Sequence, residues 1–298
     1  MLARETSWAP MGWSLMPRLV HLSDLHFGAH DPVIVSAVER YVDFARPDLV
    51  VVSGDLTQRA RTEQFEEACR FLERLREAGH EVLAVPGNHD VPLYDVLRRF
   101  LSPLTRYRRF IDETLCPVHL IKGATVVGIN TARSFTIKDG RINAEQVEFV
   151  RASFARSDPS LARILVTHHP LFALPVDASG ALGRAVGRQE LALDAIDRLG
   201  VDLLLAGHNH RASTHHARDL VTRAGGALVI QAGTATSVRT RDEEQSFNLI
   251  EIADGVVTVA LLSWIKDCFE PGQPVQYRKD ERGWQLQSQA AADAAISA

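Results

Sequence analysis

The chain has 298 residues, 46% hydrophobic and 23% charged, which excludes a disordered polymer and gives one large domain enough material for a core without staples. Lys and Arg total 33 against 37 Asp and Glu, a net charge of −4, so there is no strong nucleic-acid signal of the kind a basic coating protein carries. Three widely spaced cysteines exclude a disulfide framework and a thiolate zinc site and fit a reducing, cytoplasmic compartment, and no apolar run reaches the roughly 20 residues that span a bilayer.

Residues 1–16 read as a flexible N-terminal extension with no signal-peptide core, and Met16 is an alternative start. A single domain is expected over 17–286. Residues 19–22 form a buried-strand pattern. Asp31-Pro32 caps a helix whose face carries Ile34, Val38, Tyr41, Val42 and Ala45, and Pro47 stops it. Residues 49–52 are the next strand. Thr62 is expected to cap a second helix with the stripe Phe65, Ala68, Cys69, Leu72 and Leu75, ended by Gly79. Residues 82–85 follow as a third strand. This β-α-β-α-β order predicts parallel pairing with right-handed crossovers.

Residues 92–113 read as one or two short helices broken near Pro103, and Lys122-Gly123 turns a hairpin between 118–121 and 125–129. A helix is expected over 144–155, strands at 164–166 and 203–205, and a helix at 188–199 between them. From 213 onward the pattern is β, with Ala253-Asp254-Gly255 as a tight turn; residues 287–298 read as a flexible tail. The fold class expected is α/β, with two sheets and helices outside both.

The residues that can carry chemistry stand directly after the strands. Asp24-Leu25-His26 comes after the first, Gly54-Asp55 after the second and Gly87-Asn88-His89-Asp90 after the third. His168-His169 comes after the strand at 164–166, and Gly207-His208-Asn209-His210 after the strand at 203–205. Ligands of open α/β sheets bind beyond the carboxyl ends of the strands. One such motif is usually an ordinary loop, but five in succession gather imidazoles and carboxylates whose burial is costly without a cation. Mixed carboxylate, amide and imidazole donors without thiolate suit Mn, Fe or Zn, and the donors are too many for one ion. Two ions about 3.5–4 Å apart would use most of them, with Asp55 as the natural bridge.

In order and content these blocks resemble the signature of the calcineurin-like metallophosphoesterases. The resemblance implies a four-layer αββα sandwich of two mixed β-sheets flanked by helices. It implies one metal site of Asp24, His26, Asp55 and His210, and a second of Asp55, Asn88, His168 and His208. His168 is preferred to His169 because the family ligand stands two positions before the proline, as in His168-His169-Pro170. His89 matches the family histidine that faces the substrate phosphate. The implied reaction is in-line attack on phosphorus by a hydroxide bridging two divalent ions. Asn88 and the metals would hold the phosphoryl oxygens, His89 would serve the leaving group, and Asp90 would either orient His89 or merely cap its loop.

Within the family, His-Leu-Ser-Asp-Leu-His, Gly-Asp-Leu-Thr, Val-Pro-Gly-Asn-His-Asp and His-His-Pro are most similar to the class III cyclic nucleotide phosphodiesterases. A small phosphodiester is therefore the expected substrate. The alternatives are a lipid-linked pyrophosphate of the UDP-diacylglucosamine type, a nuclease, or a scaffold that has lost its metals. Specificity is expected from loops at 131–142, 170–187 and 234–243. Arg98, Arg99, Arg106, Arg108 and Arg109 form either a solvated face or a surface for anionic headgroups, giving a peripheral membrane contact through 98–109. An oligomer through the late β region is compatible with the pattern but not required by it.

Overall fold

The computed structural model describes residues 16–136, 139–173, 185–187, 198–216, 226–238, 244–281 and 283–287. Residues 188–197 of the expected helix, most of the loop at 170–187, parts of the other two loops, the N-terminal extension up to residue 15 and the tail from 288 lie outside them.

The chain opens with β1 (Arg18–Leu22), α1 (Pro32–Ala45), β2 (Leu49–Val52), α2 (Thr62–Glu77) and β3 (Val82–Ala84). The three strands pair in parallel, with Leu19 opposite Leu49 and Val50 opposite Val82. Asp31 caps α1 as the sequence predicts, its carboxylate accepting the N–H of Val33 at 2.8 Å, and Arg46 closes the helix at φ 46° just before Pro47. The cap of α2 differs from expectation. Thr62 is already helical, and it is the side-chain oxygen of Gln64 that accepts the N–H groups of Arg59 (2.8 Å) and Arg61 (3.4 Å). Gln64 therefore does from inside the helix what Thr62 was expected to do from its end.

Two short helices follow, α3 (Val96–Leu101) and α4 (Thr105–Phe110), with the break at Pro103. Arg99 departs from a solvated face. It is buried and donates to three main-chain carbonyls, of Ser134, Pro92 and Thr136. Arg106 likewise donates to the carbonyl of Ala60 at 2.7 Å. The hairpin β4 (Val118–Ile121) and β5 (Ala124–Gly128) comes next, then α5 (Ala144–Ala155), β6 (Ala162–Val166), β7 (Leu203–Ala206), β8 (Ser213–His216) and β9 (Leu228–Gln231). The described chain ends with β10 (Ser246–Ala253), β11 (Val256–Ile265), β12 (Cys268–Pro271), β13 (Val275–Asp280) and β14 (Gly283–Gln287).

Two mixed sheets result. The first runs β14-β13-β11-β10-β1-β2-β3, with β12 paired to β11; the second runs β4-β5-β6-β7-β9-β8. The period-two geometry of a strand buries both faces here. Leu49 and Val51 of β2 meet Ile164, Val166, Leu203 and Leu205 of the opposite sheet, while Val50 and Val52 face Val38, Phe65 and Leu72 of the helices. Val150 and Phe154 of α5 cover the outer side of the second sheet against Leu165 and Leu204. The architecture is the expected αββα sandwich. Among the described residues no helix is long and apolar enough to cross a membrane.

Candidate metal centre

β1, β2 and β3 of the first sheet and β6 and β7 of the second all end at the same crevice. Asp24 and His26 follow β1, Asp55 follows β2, Asn88 and His89 follow β3, His168 follows β6, and His208 and His210 follow β7. Among the described residues ten non-glycine positions have positive φ, and five of them are Asp24, His26, Asp55, His208 and His210. Such backbone costs free energy and persists where surrounding structure enforces it, commonly at functional sites. Two glycines make room. A Cβ on Gly54 would lie 2.6 Å from Nδ1 of His168, and one on Gly87 would collide with the Asp55 carboxylate.

The first group of donors is Asp24, His26, Asp55 and His210. Oδ1 of Asp24 lies 3.6 Å from Nε2 of His26 and 3.5 Å from Nε2 of His210, and Oδ2 of Asp55 lies 3.8 Å from Nε2 of His26. The rings of His26 and His210 are parallel, with centroids 5.2 Å apart. Oδ2 of Asp24 is used elsewhere, accepting Ser23 Oγ–H at 2.7 Å and the His208 N–H at 3.1 Å. The second group is Asp55, Asn88, His168 and His208. Oδ1 of Asn88 stands 3.2 Å from Nε2 of His168 and 3.0 Å from Nδ1 of His208, and Nε2 of His168 is 3.3 Å from Oδ2 of Asp55. One oxygen, Oδ2 of Asp55, therefore faces both groups.

These residues fit a pair of cations. Oδ1 of Asp24 and Nε2 of His26 are buried with no hydrogen-bond partner, although they point at each other's neighbourhood. Leaving them so in a dry site costs about 1–3 kcal/mol each, and a cation between them removes the cost. Metal–donor bonds of about 2.0–2.2 Å put adjacent donors roughly 3–3.5 Å apart, close to the separations here. Nδ1 of His168 donates to the carbonyl of Ser53 at 2.8 Å, which leaves Nε2 as the ring atom that faces Asn88 and Asp55 and that a cation would bind in place of a proton. His169 also lies within ligating distance of His168 and His208, but its Nδ1 is engaged with Thr131 Oγ1 at 2.8 Å, whereas His168 groups with Asp24 and Asp55 as well.

Charge in the site is strongly coupled. Burial disfavours ionised Asp55, but the positive fields of His168 and His89 outweigh it and hold the carboxyl well below the usual range. Burial likewise opposes a charged His168, and the Asp55 carboxylate overrides it, lifting the imidazole to about 9. His208 goes the other way, lowered to about 4 by burial and then by the neighbouring His168 charge. Two carboxylates and several imidazoles here compete for protons, the condition in which a divalent cation displaces protons most effectively.

His89 sits at the rim, its N–H given to Oδ1 of Asp55 at 2.8 Å and its ring 4.9 Å from that of His26. The hydrogen bonds of Asp90, its neighbour in sequence, go to the loops. The Asp90 carboxylate is fully engaged by the N–H groups of Gly87 (2.9 Å), Leu56 (3.2 Å) and Thr57 (2.8 Å) and by Thr57 Oγ1 (2.9 Å). It clasps the loops after β2 and β3 together, which is the loop-capping alternative. Burial, followed by the Asp55 charge, raises this carboxyl to about 6. Sequence reasoning missed the groups behind the donors. These are the carbonyls of Ser53 and Gln58 and the hydroxyl of Thr234, which lies 2.7 Å from Nδ1 of His210.

A family model described as calcineurin-like phosphoesterase matches residues 17–212. A protein of Synechococcus sp. named as a probable cyclic nucleotide phosphodiesterase is 29% identical over 167 residues, 56% of this chain and 59% of that protein's length. One of Rhodococcus erythropolis with the same name is 26% identical over 264 residues, covering 80% of this chain and 81% of its own. Among solved structures, a purple acid phosphatase from yellow lupin seeds superposes with a TM-score of 0.65 at 14% identity, over 86% of this chain and 53% of the lupin chain.

Proposed function

The chain belongs to the calcineurin-like phosphoesterase family, and we propose that it is a metal-dependent phosphodiesterase acting on a small, cyclic nucleotide-like phosphodiester. The observation that carries this reading is the placement of Oδ2 of Asp55, 3.8 Å from His26 on one side and 3.3 Å from His168 on the other. Asp24, His26, Asp55 and His210 would hold one divalent cation, and Asp55, Asn88, His168 and His208 the other. Nitrogen and oxygen donors without sulfur favour Mn, Fe or Zn. When bound, such a pair supplies Lewis acidity that activates water near neutral pH and offsets phosphoryl charge.

The side chains do the rest. Asp55 keeps the two halves of the site in register, because its other oxygen is anchored by the His89 N–H. Asn88, held between His168 and His208, presents its amide to a phosphoryl oxygen. His89 has Nδ1–H tied to the Gln58 carbonyl, and when the ring carries a second proton on Nε2 that proton would pass to the departing oxygen, leaving the neutral ring. The two relatives named as probable cyclic nucleotide phosphodiesterases support the substrate class.

The test is a substrate panel with added Mn²⁺, comparing cyclic AMP, bis(p-nitrophenyl) phosphate, p-nitrophenyl phosphate, UDP-diacylglucosamine and single-stranded DNA. Diesters are expected to turn over well ahead of the monoester, and Asp55→Ala to lose bound metal and roughly a hundredfold or more in rate. Equal rates for the Asp55→Ala and native proteins would overturn the reading.

A further inference from the structure

α3 is built inside out. Arg99 is the buried residue of this six-residue helix, and its guanidinium serves the carbonyls of Ser134 (2.7 Å), Pro92 (2.9 Å) and Thr136 (2.7 Å). The apolar side chains point the other way. Leu97 is 73% exposed and Leu101 75%, and the ring of exposed Phe100 lies 5.3 Å from that of Phe135, tilted 56° to it, with Phe135 itself 88% exposed. A surface helix ordinarily shows the reverse pattern. Large apolar side chains held in water around a buried arginine mark a surface that meets something apolar.

The charge around the patch says what that is. Residues 92–110 hold one acid, Asp95, and, besides the buried Arg99, the four arginines Arg98, Arg106, Arg108 and Arg109, in a chain of net −4. Asp95 is already paired with Arg98 at 3.0 Å. Arg59, Arg61 and Arg106 line a cleft of about 290 Å³ together with Pro92, Leu93, Tyr94 and the one acid Asp95, and the Arg59 guanidinium lies 5.6 Å over the Tyr94 ring. Glu63 is the other acid acting on Arg106. Arg108 and Arg109 are exposed. Pairing this face with a second copy about a two-fold axis would set the same arginines against each other. An apolar layer edged by negative charge complements it on both counts.

We propose that the α3 face docks on an anionic phospholipid surface. Leu97, Phe100, Leu101 and Phe135 enter the acyl boundary, and Arg59, Arg61, Arg108 and Arg109 meet headgroup phosphates. Tyr94 follows His89 by only five positions, so the docked face adjoins the loop that carries the rim histidine.

The experiment is flotation of the full chain with vesicles of phosphatidylcholine alone and of phosphatidylcholine mixed with phosphatidylglycerol. Binding to the mixed vesicles is expected, with much less to the neutral ones, and raised salt should weaken it by screening the arginines. A Leu97→Ser/Leu101→Ser variant should lose about tenfold in partitioning. Its melting temperature and its hydrolysis of bis(p-nitrophenyl) phosphate without vesicles should not change. Arg108→Glu/Arg109→Glu should lose the preference for anionic vesicles. Flotation needs no turnover, so its outcome is independent of the catalytic reading. Failure to float with either vesicle, or flotation untouched by the serine pair, would overturn the proposal. So would a concentration-dependent dimer that the serine pair dissolves, which would give the face to a second copy.

Discussion

The carbonyl oxygen of Gln58 stands 2.9 Å from Nδ1 of His89 and fixes which nitrogen of that ring is left for another partner. A carbonyl only accepts, so Nδ1 keeps its hydrogen and Nε2 is the atom that exchanges a proton. If Nε2 serves the leaving group, the benefit must grow with the basicity of that group. His89→Ala is expected to lower the rate on an alkyl phosphodiester by about a hundredfold or more. The loss on bis(p-nitrophenyl) phosphate, whose leaving group departs without a proton, should be much smaller, and bound metal should be unchanged. Equal losses on both substrates would deny His89 that role.

Thr234 is buried and lies 2.7 Å from Nδ1 of His210, a donor of the first group. Its hydroxyl fixes the ring plane and keeps Nε2 turned toward Asp24. Thr234→Val keeps the shape and removes only the oxygen. Affinity for the more weakly held metal should fall by about 10- to 100-fold, read as the Mn²⁺ concentration that restores half of full activity. The rate at saturating metal should stay near the native value. An unchanged metal requirement would mean that packing alone positions His210.

Asp90 makes a different prediction because its carboxylate is bonded to loops. Four donors converge on its carboxylate, three of them main-chain N–H groups. Asp90→Asn would turn an NH₂ toward groups that have only hydrogens to offer. The expected cost is about 1–3 kcal/mol of unfolding free energy, measured by denaturant titration. A native-like stability with lost activity would return Asp90 to the catalytic set.

How far the site is legible in the sequence depends on which atoms each residue uses. Asp24, His26, Asp55, Asn88, His168, His208 and His210 bring candidate donor side chains directly after strands, so type and position both show in the letters. Ser53 and Gln58 act through carbonyls that every residue possesses, and nothing in their side chains announces it. Thr234 belongs to a loop far along the chain from Asp24, and only the closure of the two sheets joins them. The stripe of α3 is visible in the letters, but its direction is not, since an apolar spacing is the same whether it faces core or solvent. The edge strand β12 has only Phe269 buried, too little alternation to announce a strand. The cap of α2 escapes a reading by position because Gln64 reaches back over the turn that Thr62 was expected to close.

His21 carries the last prediction, one of stability and not of rate. It lies in β1 opposite Asn248, fully buried, with Nε2 2.9 Å from Ser53 Oγ and Nδ1 without a hydrogen-bond partner. Burial holds its pKa down to about 3 from the usual 6.5, and the nearby Asp24 charge offsets only part of that. Above pH 6.5 neither the folded nor the unfolded chain protonates this ring, so it adds no pH dependence. Between 6.5 and about 3 the unfolded chain binds a proton that the folded chain refuses. Stability is therefore lost as the pH falls through this window, at up to about 1.4 kcal/mol per pH unit from this group alone. Urea unfolding of the native protein and of His21→Asn, followed from neutral pH down through that window, should show a shallower acid limb in the variant. Relative to the native protein, the variant should therefore gain stability steadily as the pH falls through the window. Parallel curves would show that His21 takes its proton in the folded state and that the space around Nδ1 is wetter than its burial implies.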